Sequence, residues 1–353
     1  MMIRRYGLAA CLMAAVMVAA CGGNQPQTSE QGAAAPGSPV QINGAGATFP
    51  NPIYSKWFAE YHKRHPEIQI NYQPIGSGGG IRQLTSRTVF FGASDMPMKD
   101  DDLKAAPGPI LHFPTVLGAV VPIYNLMGVT DLKFTGPLLA DIYLGKVKKW
   151  NDPAIAKANP GVKLPSTDIA VVHRSEGSGT TFIFVDYLAK VSPEFKDKVG
   201  VNASVNWPTG IGGKGNEGVA GLVSQTPGAL GYVELIYALQ NNIAFGAVQN
   251  AAGDFVKASP DAVTKAAAGA NIPEDFRVSI TNASGAGAYP ISSFTYLLLY
   301  QEPTDKVQGK AMVDFVRWAA ADGQKFATEL GYAPLPQNVA AQELKSLEKI
   351  KVS

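Results

Sequence analysis

The chain has 353 residues, enough for two domains that each bury a core. Hydrophobic residues make up 46% and charged residues only 16%, which is a globular composition, and 37 glycines with 25 prolines call for many turns. A formal net charge of +2 excludes the basic excess of a nucleic-acid binder, so any anion site must be local, built from dipoles and one or two cations.

Arg4 and Arg5 precede an apolar run over residues 7–20. That run is shorter than the about twenty residues a bilayer span needs, and the pattern predicts a secretory signal peptide over residues 1–20. It ends at Val18-Ala19-Ala20-Cys21-Gly22, small residues directly before a Cys, as in a bacterial lipobox. Cys21 is therefore the expected lipidation site and mature N-terminus, and Gly22 stands where an Asp commonly retains lipoproteins at the inner membrane, which favours the outer membrane in a cell that has two. The only other cysteine, Cys11, leaves with the leader, so the mature chain cannot form an internal disulfide. Removing the leader takes two arginines and no acid from a balance of 30 basic against 28 acidic residues, which leaves formal neutrality. Residues 21–38 are Gly, Gln, Ser, Ala and Pro with little apolar bulk and read as a flexible linker behind the anchor.

The fold is expected to start near Val40. A short strand at Val40-Gln41-Ile42 leads into the Gly-rich turn Gly44 to Pro50. A helix follows, with Tyr54, Trp57, Phe58 and Tyr61 at helical spacing as a core stripe. Ile68, Ile70 and Tyr72 alternate with polar residues as a strand, and Gly76 to Gly80 then opens a second helix. Phe90 to Asp95 reads as a strand running into a polar turn, and Asp100-Asp101-Asp102 as the start of a solvated helix. Phe113 to Tyr124 is predicted to be a buried hinge strand, and Asp141 to Trp150 a helix end with a basic, aromatic surface turn. Ile169 to Val172 reads as a strand, His173 to Thr181 as a Gly-rich turn and helix start. Gly210 to Gly218 reads as another Gly-rich loop; Lys214 is followed by Gly215 where a phosphate-binding P-loop needs Ser or Thr, so that motif is excluded. Gly231-Tyr232-Val233 and Phe294 to Tyr300 are predicted strands. Met312, Phe315, Val316 and Ala319 mark a helix, and Gly331 to Pro336 a rigid turn before the last helix. Residues 250–287 give no clear pattern. Alternating strands and helices make the class α/β.

Three of these turns share one design: a hydroxyl (Thr48, Ser77, Ser178 to Thr180), nearby glycine, and a helix start with unpaired N–H groups. In open α/β sheets ligands bind where strand ends meet helix starts, so the three suggest one focus that donates hydrogen bonds to an anion. Catalytic readings are weaker. The glycines beside Ser178 are adjacent to it, not spaced as in a nucleophile elbow. The four histidines include no metal-like pair on one helix face, and no cofactor fingerprint is present. From the residues alone, Asp95 caps a turn or a helix.

Gly44-Ala45-Gly46-Ala47-Thr48-Phe49-Pro50, Gly76-Ser77-Gly78-Gly79, Gly92-Ala93-Ser94-Asp95, Arg174 to Thr180 and Tyr332-Ala333-Pro334-Leu335-Pro336 together resemble the periplasmic phosphate-binding proteins of bacterial phosphate-specific ABC importers. Asp141 to Trp150 and Gly212 to Asn216 also look like that family, and the likeness runs from about residue 40 to the C-terminus. The resemblance implies a type II two-lobe periplasmic-binding-protein fold, each lobe a mixed sheet flanked by helices, joined by hinge strands. Lobe I would comprise residues 39–114 and 291–353, lobe II residues 115–290. It implies a phosphate cradle of Thr48, Phe49, Ser77, Arg174, Ser178, Gly179 and Thr180, with Glu176 orienting Arg174 from a position where relatives often have Asp. Asp95 would accept a hydrogen bond from a protonated phosphate oxygen. Phosphate carries such a proton near neutrality (phosphomonoesters have a second pKa of about 6) and sulfate does not. The implied partners are inorganic phosphate, the importer's permease subunits with their cytoplasmic ATPase, and a membrane through the lipid anchor, with no metal, cofactor or nucleic acid. A secreted phosphatase or phosphotransferase using Ser178, or a binder of another tetrahedral oxyanion such as sulfate, is the alternative.

Overall fold

The computed structural model describes residues Pro39–Ser353. The predicted leader, Cys21 and the linker lie outside the described residues. The first part of the chain runs β1 (Val40–Gly46), α1 (Asn51–Arg64), β2 (Ile68–Pro74), α2 (Ser77–Thr85), β3 (Phe91–Ser94), α3 (Asp100–Ala105) and the long β4 (Ile110–Tyr124). The middle part runs β5 (Lys133–Phe134), α4 (Gly136–Tyr143), α5 (Pro153–Ala158), β6 (Ala170–Arg174), α6 (Gly179–Val191), α7 (Pro193–Lys198), β7 (Ile211–Gly213), α8 (Gly215–Gln225), β8 (Ala229–Glu234) and α9 (Leu235–Gln240). Short strands β9 (Ala244–Phe245), β10 (Ala247–Gln249) and β11 (Phe255–Val256) and helix α10 (Pro260–Ala268) follow. The chain then returns through β12 (Ser292–Tyr300), α11 (Lys306–Ala320) and α12 (Gln337–Leu347).

The main sheet has the order β2-β1-β3-β12-β4-β8-β6-β7, with β9 also paired to β4, and a small sheet has the order β11-β10-β5. Strand β4 joins the two halves of the main sheet. Its residues Ile110 to Ala119 pair antiparallel with β12, and Val120 to Tyr124 pair antiparallel with β8. The partner thus changes between Ala119 and Val120. Pro114 is accommodated inside this buried strand because the ladder with β12 shifts register beside it, at Thr295/Tyr296. Strand β12 also pairs antiparallel with β3 on its other side, and the remaining neighbours are parallel (β1 with β2 and β3, β6 with β7 and β8), so the ends of those parallel strands and the helix starts that follow them gather on one edge.

Local sequence explains most elements. Helix α1 buries Tyr54, Trp57 and Tyr61, with Phe58 partly covered, and α11 answers with Met312, Phe315, Val316 and Ala319. Tyr61 and Phe315 meet edge to face at 5.2 Å between ring centroids. Each such side chain removed from water contributes about 1.5–3 kcal/mol, which fixes the two helices on the sheet. Three expectations change. Trp150 does not sit in a surface turn: it is wholly buried with Nε1 donating to the Gly228 carbonyl at 2.9 Å, while Lys146, Lys148 and Lys149 around it stay exposed. Gly210 to Gly218 is not simply a loop, because Ile211 to Gly213 pairs in parallel with Val172 to Arg174 and α8 starts at Gly215. The stretch without pattern contains α10, capped by Ser259 and packed through Ala262, Val263, Ala266 and Ala267, residues too small to announce an apolar stripe. Among the described residues no helix is long and apolar enough to cross a membrane.

Candidate functional site

Three turns at the sheet edge carry the expected site residues, and the fold brings them together. The first lies between β1 and α1. Thr48 and Phe49 are buried there, and neither backbone N–H has a partner among the described residues. Their carbonyls are anchored instead: Tyr237 donates its hydroxyl to Thr48 O at 2.5 Å, and Tyr332 donates to Phe49 O at 2.6 Å. The turn is therefore held by its oxygens, leaving its N–H groups free to point at a ligand.

The second turn opens α2. Gly76 has φ +89°, the left-handed region that favours glycine, and its N–H donates to Gly46 O at 2.8 Å. Ser77 is fully buried. Its Oγ accepts the Asp95 N–H at 3.2 Å and the Gly179 N–H at 3.1 Å. The third turn, between β6 and α6, thus touches the second directly, and Gly78 N–H also donates to Gly177 O at 2.9 Å. A Cβ at Gly179 would lie 2.6 Å from Asp95 Cβ and overlap Asp95 Oδ2 and Ser77 Oγ, so only glycine allows this approach. Ser178 caps α6 by accepting the Thr181 N–H at 3.0 Å.

Arg174 ends β6 with its side chain 1% exposed. Its Nε donates to Glu176 Oε1 at 3.0 Å, Nη2 donates to the same oxygen, and Nη1 donates to Thr180 Oγ1 at 3.2 Å. Glu176 Oε1 also accepts the Gly215 N–H at 3.0 Å, while its Oε2 is buried without a partner. The guanidinium is thereby fixed in direction and its charge partly balanced.

Asp95 follows β3 and is 1% exposed. Thr295 donates to its Oδ1 at 2.7 Å, and Oδ2 faces Ser77 Oγ at 3.5 Å. Burial pushes the Asp95 carboxyl up from its ordinary 3.8 to about 7, held back by the Thr295 hydrogen bond, the charge of Arg174 and the Ser77 hydroxyl. Asp95 is thus a buried acceptor, raised to about 7, facing the hydroxyls and N–H groups of the turns, while the other carboxylate, Glu176, is engaged by Arg174 and Gly215. It does not merely cap a turn.

Two contributors were not singled out from the sequence. Thr295 positions Asp95 from β12, and its signal was a hydroxyl between Phe294 and Tyr296 in a run that is otherwise apolar. Asn216, wholly buried at the start of α8, donates to Thr48 Oγ1 and Thr180 Oγ1. It lies in a Gly-rich stretch whose composition signals a loop lacking the P-loop Ser or Thr, and whose family likeness assigns Asn216 no role. Among the described residues no group of His, Cys, Asp or Glu is placed to hold a metal ion.

A model of the PBP superfamily domain matches residues 33–323. The phosphate-binding protein PstS of Xylella fastidiosa is 51% identical over 308 residues, covering 86% of this chain and 84% of that protein. The phosphate-binding protein PstS of Pasteurella multocida is 48% identical, covering 88% of this chain and 90% of its own length. Among solved structures, the high affinity periplasmic phosphate-binding protein PfluDING, bound with phosphate, superposes with a TM-score of 0.70 at 22% identity, covering 86% of this chain and 92% of that one. A putative phosphate ABC transporter substrate-binding protein with bound phosphate from Clostridium perfringens has a TM-score of 0.62 at 18% identity, covering 84% of this chain and all of that one. At those identities the solved structures bear on the fold alone, which is the mixed α/β periplasmic-binding-protein fold. With a superfamily match over most of its length and relatives near half identity, the chain belongs to the PBP superfamily and, within it, to the family of the phosphate-binding proteins PstS.

Proposed function

We propose that this protein binds inorganic phosphate in the periplasm and delivers it to the permease subunits of an ABC importer, whose cytoplasmic ATPase drives uptake. It is a transport component and not an enzyme. One observation carries the choice of ligand: Asp95, a wholly buried carboxyl, stands among donors beside Arg174. An acceptor in an anion site is tolerated only if the anion brings a proton, as phosphate does near neutrality and sulfate does not. Thr48 and Phe49 donate from the first turn, Ser77 from the second, Ser178, Gly179 and Thr180 from the third, and Arg174 supplies the charge that Glu176 orients. Few cations and many dipoles hold the anion without the desolvation cost of several buried charges, which keeps release possible.

The lobes divide into residues 39–114 with 291–353, and 115–290. The change of β4 partner between Ala119 and Val120 supports a hinge in that strand. Cys21 anchors the protein to a membrane by lipid. Two assays test these readings. Equilibrium dialysis of ligand-stripped protein with labelled phosphate is expected to saturate at one phosphate per chain, and no uptake would refute the function. Metabolic labelling with palmitate is expected to depend on Cys21; labelling that survives Cys21→Ser would remove the anchor.

A further inference from the structure

A Ser or Thr hydroxyl has one proton to give and two lone pairs to fill. In this site the lone pairs of three hydroxyls are already filled by N–H groups. Thr48 Oγ1 accepts from the Asn216 backbone N–H at 3.3 Å and from Asn216 Nδ2 at 2.8 Å. Thr180 Oγ1 accepts from Asn216 Nδ2 and from Arg174 Nη1, both at 3.2 Å. Ser77 Oγ accepts from the Asp95 and Gly179 backbones. None of these donors can turn round and accept. The Asn216 amide cannot flip either, because its Oδ1 accepts the Glu234 backbone N–H at 3.0 Å, which leaves Nδ2 for the two threonines. All of this is buried: Asn216, Thr180 and Ser77 are 0% exposed and Thr48 is 2% exposed.

We propose that Asn216 is a positioning residue that locks the Thr48 and Thr180 hydroxyls as hydrogen-bond donors, so that the ligand turns its proton away from both threonines and towards Asp95. This rests on phosphate being the ligand of the site. With both lone pairs occupied, each hydroxyl proton can point only away from Asn216, into the cradle. A protonated ligand oxygen at Thr48 or Thr180 would set hydrogen against hydrogen, whereas the Asp95 carboxylate can receive it. The device joins residues from three separate elements through one amide. Selectivity for a singly oriented, protonated oxyanion is then a property of Asp95 and Asn216 together, the first by accepting and the second by forbidding acceptance at the two threonines.

Asn216→Asp reverses the arrangement. It keeps an acceptor for the Glu234 N–H but sets a second acceptor against both threonine hydroxyls, which turn their protons towards it. Phosphate affinity is measured for the unmutated protein, Asn216→Asp, Thr48→Val, Ser77→Ala and the two double variants, with ligand-free thermal melting to show that each folds. In the unmutated protein Thr48→Val is expected to weaken binding roughly ten- to a hundredfold, the range for a hydrogen bond to a charged group. In the Asn216→Asp background the same change is expected to cost less than about threefold, because the hydroxyl no longer donates to the ligand. Ser77→Ala, which does not touch Asn216, is expected to cost the same in both backgrounds. The loss caused by Asn216→Asp should shrink as the pH falls and the introduced carboxyl takes up a proton it can donate, a recovery a merely structural defect would not show. If Asn216→Asp does not fold, Asn216→Ala takes its place: with Nδ2 gone, a threonine oxygen is free to accept the ligand proton, so Asp95→Asn is expected to cost less phosphate affinity than in the unmutated protein, and an equal cost would overturn the locking role. Equal Thr48→Val costs in both backgrounds would overturn the locking role while leaving phosphate binding intact. Absence of phosphate binding in the unmutated protein would overturn both.

Discussion

Replacing Asp95 by Asn removes a wholly buried carboxyl while keeping its shape, so Thr295 can still donate to Oδ1. The cost of that carboxyl depends on pH. Its ordinary value is 3.8 and burial raises it to about 7 in the folded chain. Below the lower value both states hold the proton and folding carries no penalty. As the pH rises through the window between the two, the unfolded chain ionises while the folded chain keeps its proton, so stability is lost progressively, and the loss is complete above about 7. Between about pH 5 and about pH 8 this amounts to about 2.5 kcal/mol of lost stability, at 1.36 kcal/mol for each tenfold step in proton affinity. Asn has no proton to lose. Ligand-free Asp95→Asn should therefore gain on the unmutated protein by about that amount as the pH rises over this range. Urea denaturation in phosphate-free buffer at both pH values measures it. Identical pH slopes for the two proteins would refute the claim that Asp95 is held as a strained, burial-raised acceptor. A variant more stable than the natural chain would also make sense of its retention: the site carries an unfavourable group for selectivity.

Other substitutions probe neighbouring contacts. Gly179→Ala places a Cβ against Asp95 and Ser77, so phosphate binding should fall at least a hundredfold in a titration and the ligand-free protein should lose roughly 1–3 kcal/mol in urea denaturation; near-native affinity would show that the two turns do not approach each other so closely. Thr295→Val removes the hydroxyl that holds Asp95 Oδ1 and should weaken phosphate binding roughly tenfold, with little change in fold by circular dichroism; unchanged affinity would show that Asp95 needs no orienting partner. Glu176→Gln leaves an oxygen for Arg174 but removes the balancing charge, so phosphate should bind with a steeper dependence on salt; an unaltered salt dependence would remove Glu176 from the electrostatics of the site.

Much of the framework was legible because it is local. The spacing of Tyr54, Trp57, Phe58 and Tyr61 fixes a helix and its buried face within one stretch of chain, and the Gly-rich turns announce helix starts by their own composition. What escaped depends on distant partners. Trp150 looks like a surface aromatic among lysines until Gly228 supplies an acceptor for its indole from 78 residues away. Asn216 gains its meaning from Thr48, 168 residues earlier, and Thr295 from Asp95, 200 residues earlier. No periodicity encodes such pairs. Helix α10 was hidden for the opposite reason: alanines pack well but contrast little with their surroundings.

The central claim is that a buried acceptor selects an anion that carries a proton. Competition between labelled phosphate and sulfate for the unmutated protein tests it most directly. Sites built around a ligand hydroxyl reject the analogue lacking it by roughly 10⁴ to 10⁵, so sulfate in thousandfold excess should leave phosphate binding essentially unchanged near neutral pH. Displacement of phosphate by equimolar sulfate would contradict the role assigned to Asp95.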